Sequence, residues 1–159
     1  MTRVAIALGS NLGDRQSHLD FAIHRLKPTI GSLRVSRSFE TDPVGVPGPQ
    51  PPFLNAAAVG ETTLGARPLL ETLLALERER GRERPFPGAA RTLDLDLILY
   101  GDAIIDEPDL IVPHPRFRER PFVLEPLAEV GAELVDPVTG KRVIELLRLR
   151  TSHASPPRT

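Results

Sequence analysis

The chain is 159 residues long, 40% hydrophobic and 26% charged, with a formal net charge of −1. That length suits a single domain with a sizeable core, and the near-neutral charge gives no bulk electrostatic reason for a nucleic-acid or membrane partner. Cysteine is absent, which removes disulfides, thiolate metal sites and a cysteine nucleophile, and no apolar run approaches a membrane span or a signal peptide, so a cytoplasmic protein is expected.

The run Val4 to Leu8 predicts a short buried strand, with Gly9-Ser10-Asn11 opening a loop. Asp14 to Leu26 places Leu19, Ala22, Ile23 and Leu26 at helical spacing, and Pro28 and Gly31 follow. Leu33 to Thr41 alternates weakly and reads as one strand. The segment 43–52, PVGVPGPQPP, is too rich in proline for a central strand and reads as a long loop. A further strand is expected over Leu54 to Thr62. Arg67 to Arg80 is the clearest helix, with Pro68 in its first turn, Leu69, Leu70, Leu73, Leu74 and Leu76 in a stripe, and Gly81 as its C-terminal cap. After a loop over 82–91 come a strand, Leu93 to Tyr100, and a turn at Gly101-Asp102 leading into Ile104-Ile105. Two short helices follow, Phe122 to Val130 and Val143 to Leu149, and a frayed polar tail over 151–159. No repeat or linker is visible, so residues 1–159 read as one domain. The order βαββαβ with C-terminal helical and hairpin additions predicts a ferredoxin-like α+β fold.

The strand RTLDLDLILYGD carries the chemistry. Leu93, Leu95 and Leu97 go to one face, so Asp94 and Asp96 share the other, about 7 Å apart. Two carboxylates so placed suit magnesium, which takes one or two carboxylates and fills its shell with water and substrate phosphates. They suit arginine pairing on a solvent face as well. Arg82, Arg84 and Arg91 lie in the loop entering this strand, where guanidinium forks take phosphate oxygens or simply form a solvated charge run. Glu77 points from the apolar stripe of its helix, either paired within a site or frayed at the helix end. His114, in VPHPRFRER, stands among arginines as a phosphate contact or an ordinary loop residue. Phe53 and Asn55, in PPFLNAA, share one strand face, as an aromatic platform beside an amide or as a core ring next to a turn. GSNLGD lacks the lysine of a P-loop.

Four segments in order resemble the 6-hydroxymethyl-7,8-dihydropterin pyrophosphokinase family: IALGSNLGDR (6–15), FLNAA (53–57), LERERGR continuing into RTLDLDLILYGD (76–102), and VPHPRFRERPFVLEPLAEV (112–130). ETDPVG (40–45) fits the same family's pterin-side loop. The resemblance runs from about Val4 to about Leu149. It implies pyrophosphate transfer from ATP to the pterin hydroxymethyl group, with release of AMP. It implies two Mg2+ ions held by Asp94 and Asp96, and phosphate contacts from Arg82, Arg91, His114 and Arg120, with Arg84 beside them. Pterin contacts are implied for Thr41, Asp42, Val44, Phe53, Asn55 and Phe122. On the ATP side the resemblance points to Leu70, Leu74, Glu77, Leu97, Leu110 and Ile111. A monomer is expected, with a dimer as the alternative. One departure stands out: the segment before RTLDLD is a residue shorter than in many relatives and lacks their tryptophan. The loops 43–52 and 82–91 flank the site residues and read as lids. Two other classes fit parts of the pattern. One is a different two-metal phosphotransferase or phosphohydrolase. The other is an RNA-binding module, disfavoured because aromatics are only 4% of residues.

Overall fold

In the computed structural model, which describes residues 1–42, 51–81 and 92–152, the first strand β1 (Thr2–Ser10) runs through the glycine and serine expected to open a loop. It does so because both neighbours claim it. Gly9 pairs with Asn55 on one side and Asp94 on the other, and Ser10 pairs with Leu54. Helix α1 (Arg15–Leu26) starts where Asp14 accepts a hydrogen bond from the Ser17 N–H at 3.1 Å, and it buries Leu19, Ala22 and Leu26.

The single strand expected over Leu33 to Thr41 is two: β2 (Gly31–Val35) and β3 (Phe39–Thr41). Both pair with β4 (Phe53–Thr62). Ser36 makes the break. Its hydroxyl accepts from the Ala57 N–H at 2.9 Å and donates to the Arg37 carbonyl at 2.7 Å, so a side chain takes part in the ladder and the chain steps outward. In the centre of the sheet β4 is built from small residues. At Gly60 a Cβ would meet Ile30 Cγ2 at 2.5 Å and the Gly31 carbonyl oxygen at 2.7 Å, so only glycine fits.

Helix α2 (Ala66–Glu79) follows, ended by Gly81 at φ +78°. Then β5 (Asp94–Tyr100) forms the open edge of the sheet. The strand order is β2-β4-β1-β5, with every pairing antiparallel and β3 also on β4. The register between β1 and β5 slips by one residue between Ala5–Leu99 and Ile6–Leu97. This bulge turns both Ile98 and Leu99 to one face.

Helices cover both faces. Val4, Ile6, Leu8, Leu93, Leu95 and Leu97 pack on α1 and α2. Ala5, Ala57, Val59, Ile98 and Leu99 pack on the opposite side against α3 (Pro121–Gly131) and α4 (Val143–Ser152). Between β5 and α3 the chain forms a hairpin, β6 (Ile105–Glu107) with β7 (Leu110–Val112), and a 3-10 turn at Phe117–Glu119. Helix α4 takes in residues 151–152, where the start of a frayed tail was expected, and 153–159 lie outside the described residues. Among the described residues no helix is long and apolar enough to cross a membrane.

Candidate active site

A cavity of about 570 Å3 opens over one end of the sheet and continues past the edge of β5 to α2 and β7. Its floor follows from the register. Asp94 on β5, Gly9 on β1, Asn55 on β4 and Phe39 on β3 form one cross-strand row. Asp96, Ala7 and Ala57 form the next row, on the same face. Adjacent strands are about 4.8 Å apart, so the Cα atoms of Asn55 and Asp94 lie about 10 Å apart with only Gly9 between them. The sheet therefore presents carboxylates at one side of a shallow trough and an amide at the other.

At the amide side, Asn55 is buried and its Nδ2 donates to the Thr41 hydroxyl at 2.7 Å. That bond fixes the amide and leaves Oδ1 as the end that can accept from a ligand N–H. Thr41, Asp42, Phe53 and, from α3, Phe122 line the same part of the cavity. Arg15 braces it from below. Its guanidinium donates to the Pro52 carbonyl and to Glu40, both at 2.8 Å, bracketing the Thr41–Phe53 register pair.

At the carboxylate side, Asp94 and Asp96 are half-buried and both line the cavity. They are hard oxygen donors on one face of one strand. Among the described residues no cluster of three or more metal-ligating side chains exists, so any ion here would complete its shell with oxygens from water or a ligand. That donor set fits magnesium with a polyphosphate. Glu77 is 2% exposed, and its Oε2 accepts from the Leu95 N–H at 2.7 Å. The carboxylate thus serves the open edge of β5, at the residue between the two aspartates. Beyond this edge the cavity turns apolar, with Leu70, Leu74, Leu97, Leu110 and Ile111.

His114 and Arg120 complete the rim. The His114 N–H donates to the Ile98 carbonyl at 3.0 Å, which ties this loop to β5. Burial, with the cations Arg120 and Arg116 beside it and against the pull of Asp94, lowers the His114 pKa to about 4. Its imidazole is therefore neutral at pH 7. Nδ1 accepts from the Arg116 N–H at 3.2 Å, so the proton sits on Nε2, a hydrogen-bond donor. The loop is held from behind by Arg118, whose guanidinium pairs with the fully buried Asp136.

Every site residue expected from the sequence and lying within the described residues lines this one cavity. Val44, Arg82, Arg84 and Arg91 lie outside the described residues, as do nearly all of both expected lids and the tryptophan-less segment. Ala7, Gly9, Asp109, Pro115 and Val123 also line the cavity and were not singled out by sequence. Of these, Ala7 and Gly9 carry no chemical signal of their own; only the pairing register reveals them as a floor.

A sequence model of the family described as 7,8-dihydro-6-hydroxymethylpterin-pyrophosphokinase (HPPK) matches residues 5–132. The 2-amino-4-hydroxy-6-hydroxymethyldihydropteridine pyrophosphokinase of Synechocystis sp. is 40% identical over 144 residues, covering 89% of this chain and 73% of that protein. The enzyme of the same name from Bacillus subtilis is 46% identical over 127 residues, covering 79% and 75%. The mitochondrial folate synthesis bifunctional protein of Arabidopsis thaliana is 43% identical over 136 residues, and the match spans only 24% of its length. Among solved structures, wild-type Plasmodium falciparum HPPK-DHPS superposes with a TM-score of 0.73 at 13% identity, over 97% of this chain and 46% of that one, which shows a shared fold.

Proposed function

Since the chain belongs to the 7,8-dihydro-6-hydroxymethylpterin-pyrophosphokinase family, it transfers pyrophosphate from ATP to 6-hydroxymethyl-7,8-dihydropterin in folate synthesis, and we propose that the residues lining the cavity perform that transfer. The observation that carries this reading is the cross-strand row. Asp94 and Asn55 face one trough, separated by a residue with no side chain. The pterin then lies at the Asn55 end, its ring between Phe53 and Phe122, its N–H groups on Asn55 Oδ1 and on the Thr41–Asp42–Val44 stretch. ATP lies at the other end, its phosphates toward Asp94 and Asp96 and its adenine among Leu70, Leu74, Leu97, Leu110 and Ile111 at the β5 edge.

The hydroxymethyl oxygen attacks the β-phosphorus of ATP. A new O–Pβ bond forms, the bond from Pβ to the bridging oxygen breaks, and that oxygen departs with AMP. The hydroxyl proton passes to solvent or a phosphate oxygen; no side chain among the described residues stands out as its base. Phosphoryl transfer asks a protein mainly for positioning and charge neutralisation. His114 Nε2–H and the Arg120 guanidinium supply donors to phosphate oxygens, joined by Arg82, Arg84 and Arg91. Asp94 and Asp96 would hold magnesium, two ions by family resemblance, and the metal would supply charge neutralisation to the phosphates. Glu77 keeps the β5 edge in register behind them.

Asp96→Ala tests this arrangement. Turnover is expected to fall at least about 100-fold with an unchanged melting curve; near-normal turnover in a folded variant contradicts it. The finer fold reading belongs here too. The order β5-β1-β4-β2, with helices after β1 and β4, supports a ferredoxin-like core with helical additions at the C-terminal end. A monomeric enzyme in the cytoplasm, where ATP and magnesium are held, completes the proposal.

A further inference from the structure

A glycine inside a strand costs conformational entropy and packs nothing, so it calls for a reason. Gly9 has neither of the usual ones. Its φ is not in the left-handed region, unlike those of Gly13, Gly81, Gly101 and Gly140. Nor does the fold crowd it. A Cβ built there meets Asn55 Oδ1 at 3.5 Å, Phe53 Cδ1 at 3.7 Å and the Leu54 carbonyl oxygen at 3.9 Å, all ordinary contacts. Gly60 on the neighbouring strand shows what a forced glycine looks like, with backbone and side-chain atoms at 2.7 Å and 2.5 Å. The place for a Cβ at Gly9 is on the cavity face, beside the side chains of Asn55 and Phe53, and Gly9 pairs directly with both Asn55 and Asp94.

We propose that Gly9 is the clearance through which the two substrates meet: its missing side chain leaves open the passage between the subsite of Asn55 and that of Asp94. This deepens the function proposed above and rests on it. Reacting atoms must approach to about 3–3.5 Å in line. The hydroxymethyl group and the β-phosphate have to reach each other over the trough floor, above the middle member of the row. Each carbon added at Gly9 extends about 1.5 Å into that passage. Ala7, two residues back on the same strand, lines the cavity as well and keeps the floor low beneath the Asp96 row. A side chain at position 9 thus leaves each subsite in place and blocks their union.

The test compares Gly9→Ala and Gly9→Val with wild type, using the pterin substrate and the magnesium complex of α,β-methylene ATP as a non-reacting nucleotide. Calorimetry measures each ligand alone, then the pterin in the presence of saturating nucleotide. In both variants the nucleotide alone is expected to bind as in wild type, and in Gly9→Ala, whose Cβ meets Asn55 and Phe53 at ordinary contact distances, so is the pterin alone. In Gly9→Val saturating nucleotide is expected to weaken pterin binding at least about tenfold, an antagonism absent from wild type. Turnover with ATP is expected to fall about 100-fold, with Gly9→Ala between the two. Wild-type turnover in Gly9→Val overturns the proposal. So does loss of one ligand's own affinity without antagonism, which makes Gly9 a wall of one subsite. Failure of both variants to fold overturns it too, because the fold would then require the glycine. The wild-type control separates the two levels. If it forms no pterin-dependent AMP, the proposed reaction fails, while antagonism between the two ligands is still read by binding alone.

Discussion

Asp136 offers the sharpest prediction outside the cavity. Its carboxylate is fully buried and takes four donors: Arg118 Nε, Arg118 Nη2 at 2.9 Å, the Thr139 hydroxyl at 2.7 Å and the Val138 N–H at 3.1 Å. Arg118 lies over the buried Phe117 ring at 5.0 Å and two residues before Arg120. Removing one partner of a buried ion pair costs about 3–5 kcal/mol, because the other charge is left without compensation. The Arg118 side chain keeps 22% exposure, so the lower end applies, about 3 kcal/mol for Asp136→Ala. In a chain of this size that is a fall in Tm of about 6–12 °C. Asp136→Asn loses the charge and keeps one acceptor oxygen, which can serve Val138 but not Thr139 as well, so it is expected to cost more than half as much, about 2 kcal/mol. Burial alone would raise the Asp136 pKa, yet the bonds from Arg118, Thr139 and Val138 outweigh it and hold the value below the ordinary range. Its stabilisation is therefore complete above the unfolded-state pKa of about 3.9 and is lost as pH falls through the lower folded value, so pH 7 sits on the plateau. Urea titration at pH 7 of wild type, both single alanine variants at 118 and 136, and the double variant gives the pair's coupling. Asp136→Ala within about 0.5 kcal/mol of wild type refutes the reasoning. Equal cost of Arg118→Ala with and without Asp136 refutes it as well. Because the same loop carries His114 and Arg120, the KM for ATP is expected to rise more than that for pterin.

Three further outcomes follow from single contacts. Glu77→Ala removes the acceptor of the Leu95 N–H and is expected to cost about 1–3 kcal/mol and speed hydrogen exchange at the Leu95 amide; unchanged protection there contradicts the edge role. The His114 ring is expected to titrate near pH 4 by NMR. Since the folded pKa is depressed, the unfolded chain takes the proton first, and stability falls as pH drops from about 6.5 towards 4; a midpoint near the ordinary value contradicts its burial between the cations. Arg15→Gln breaks the brace on Glu40 and Pro52 and is expected to raise the pterin KM several-fold with the ATP KM unchanged; equal changes in both contradict a role at the Thr41–Phe53 end.

What the sequence made legible follows from where one residue type has one reading. In Leu93 to Leu97 the alternation is strict because one face meets α1 and α2, so the shared face of Asp94 and Asp96 could be read directly. Glu77 on an apolar stripe was a real signal, and its partner, the Leu95 N–H, lies on an edge that only the sheet order defines. The slip opposite Ile98 was not legible, since three apolar residues in a row read alike as strand or bulge. Ser36 broke an expected strand through one hydroxyl, a choice that weak alternation over Leu33 to Thr41 does not announce. The apolar end of the cavity, Leu110 and Ile111 especially, was reached through family resemblance. No local pattern says that a short hairpin will fold beside α2. Asp136 and Arg118 are eighteen residues apart, and their pairing needs α3 between them to turn the chain back.

The most direct test of the proposed chemistry uses ATP carrying 18O in the bridge between its α- and β-phosphorus atoms, incubated with the protein, magnesium and 6-hydroxymethyl-7,8-dihydropterin, with a control lacking the pterin. Attack at the β-phosphorus predicts AMP only when pterin is present, with no ADP, and the label in the AMP. ADP, AMP formed without pterin, or label in the pterin diphosphate contradicts it.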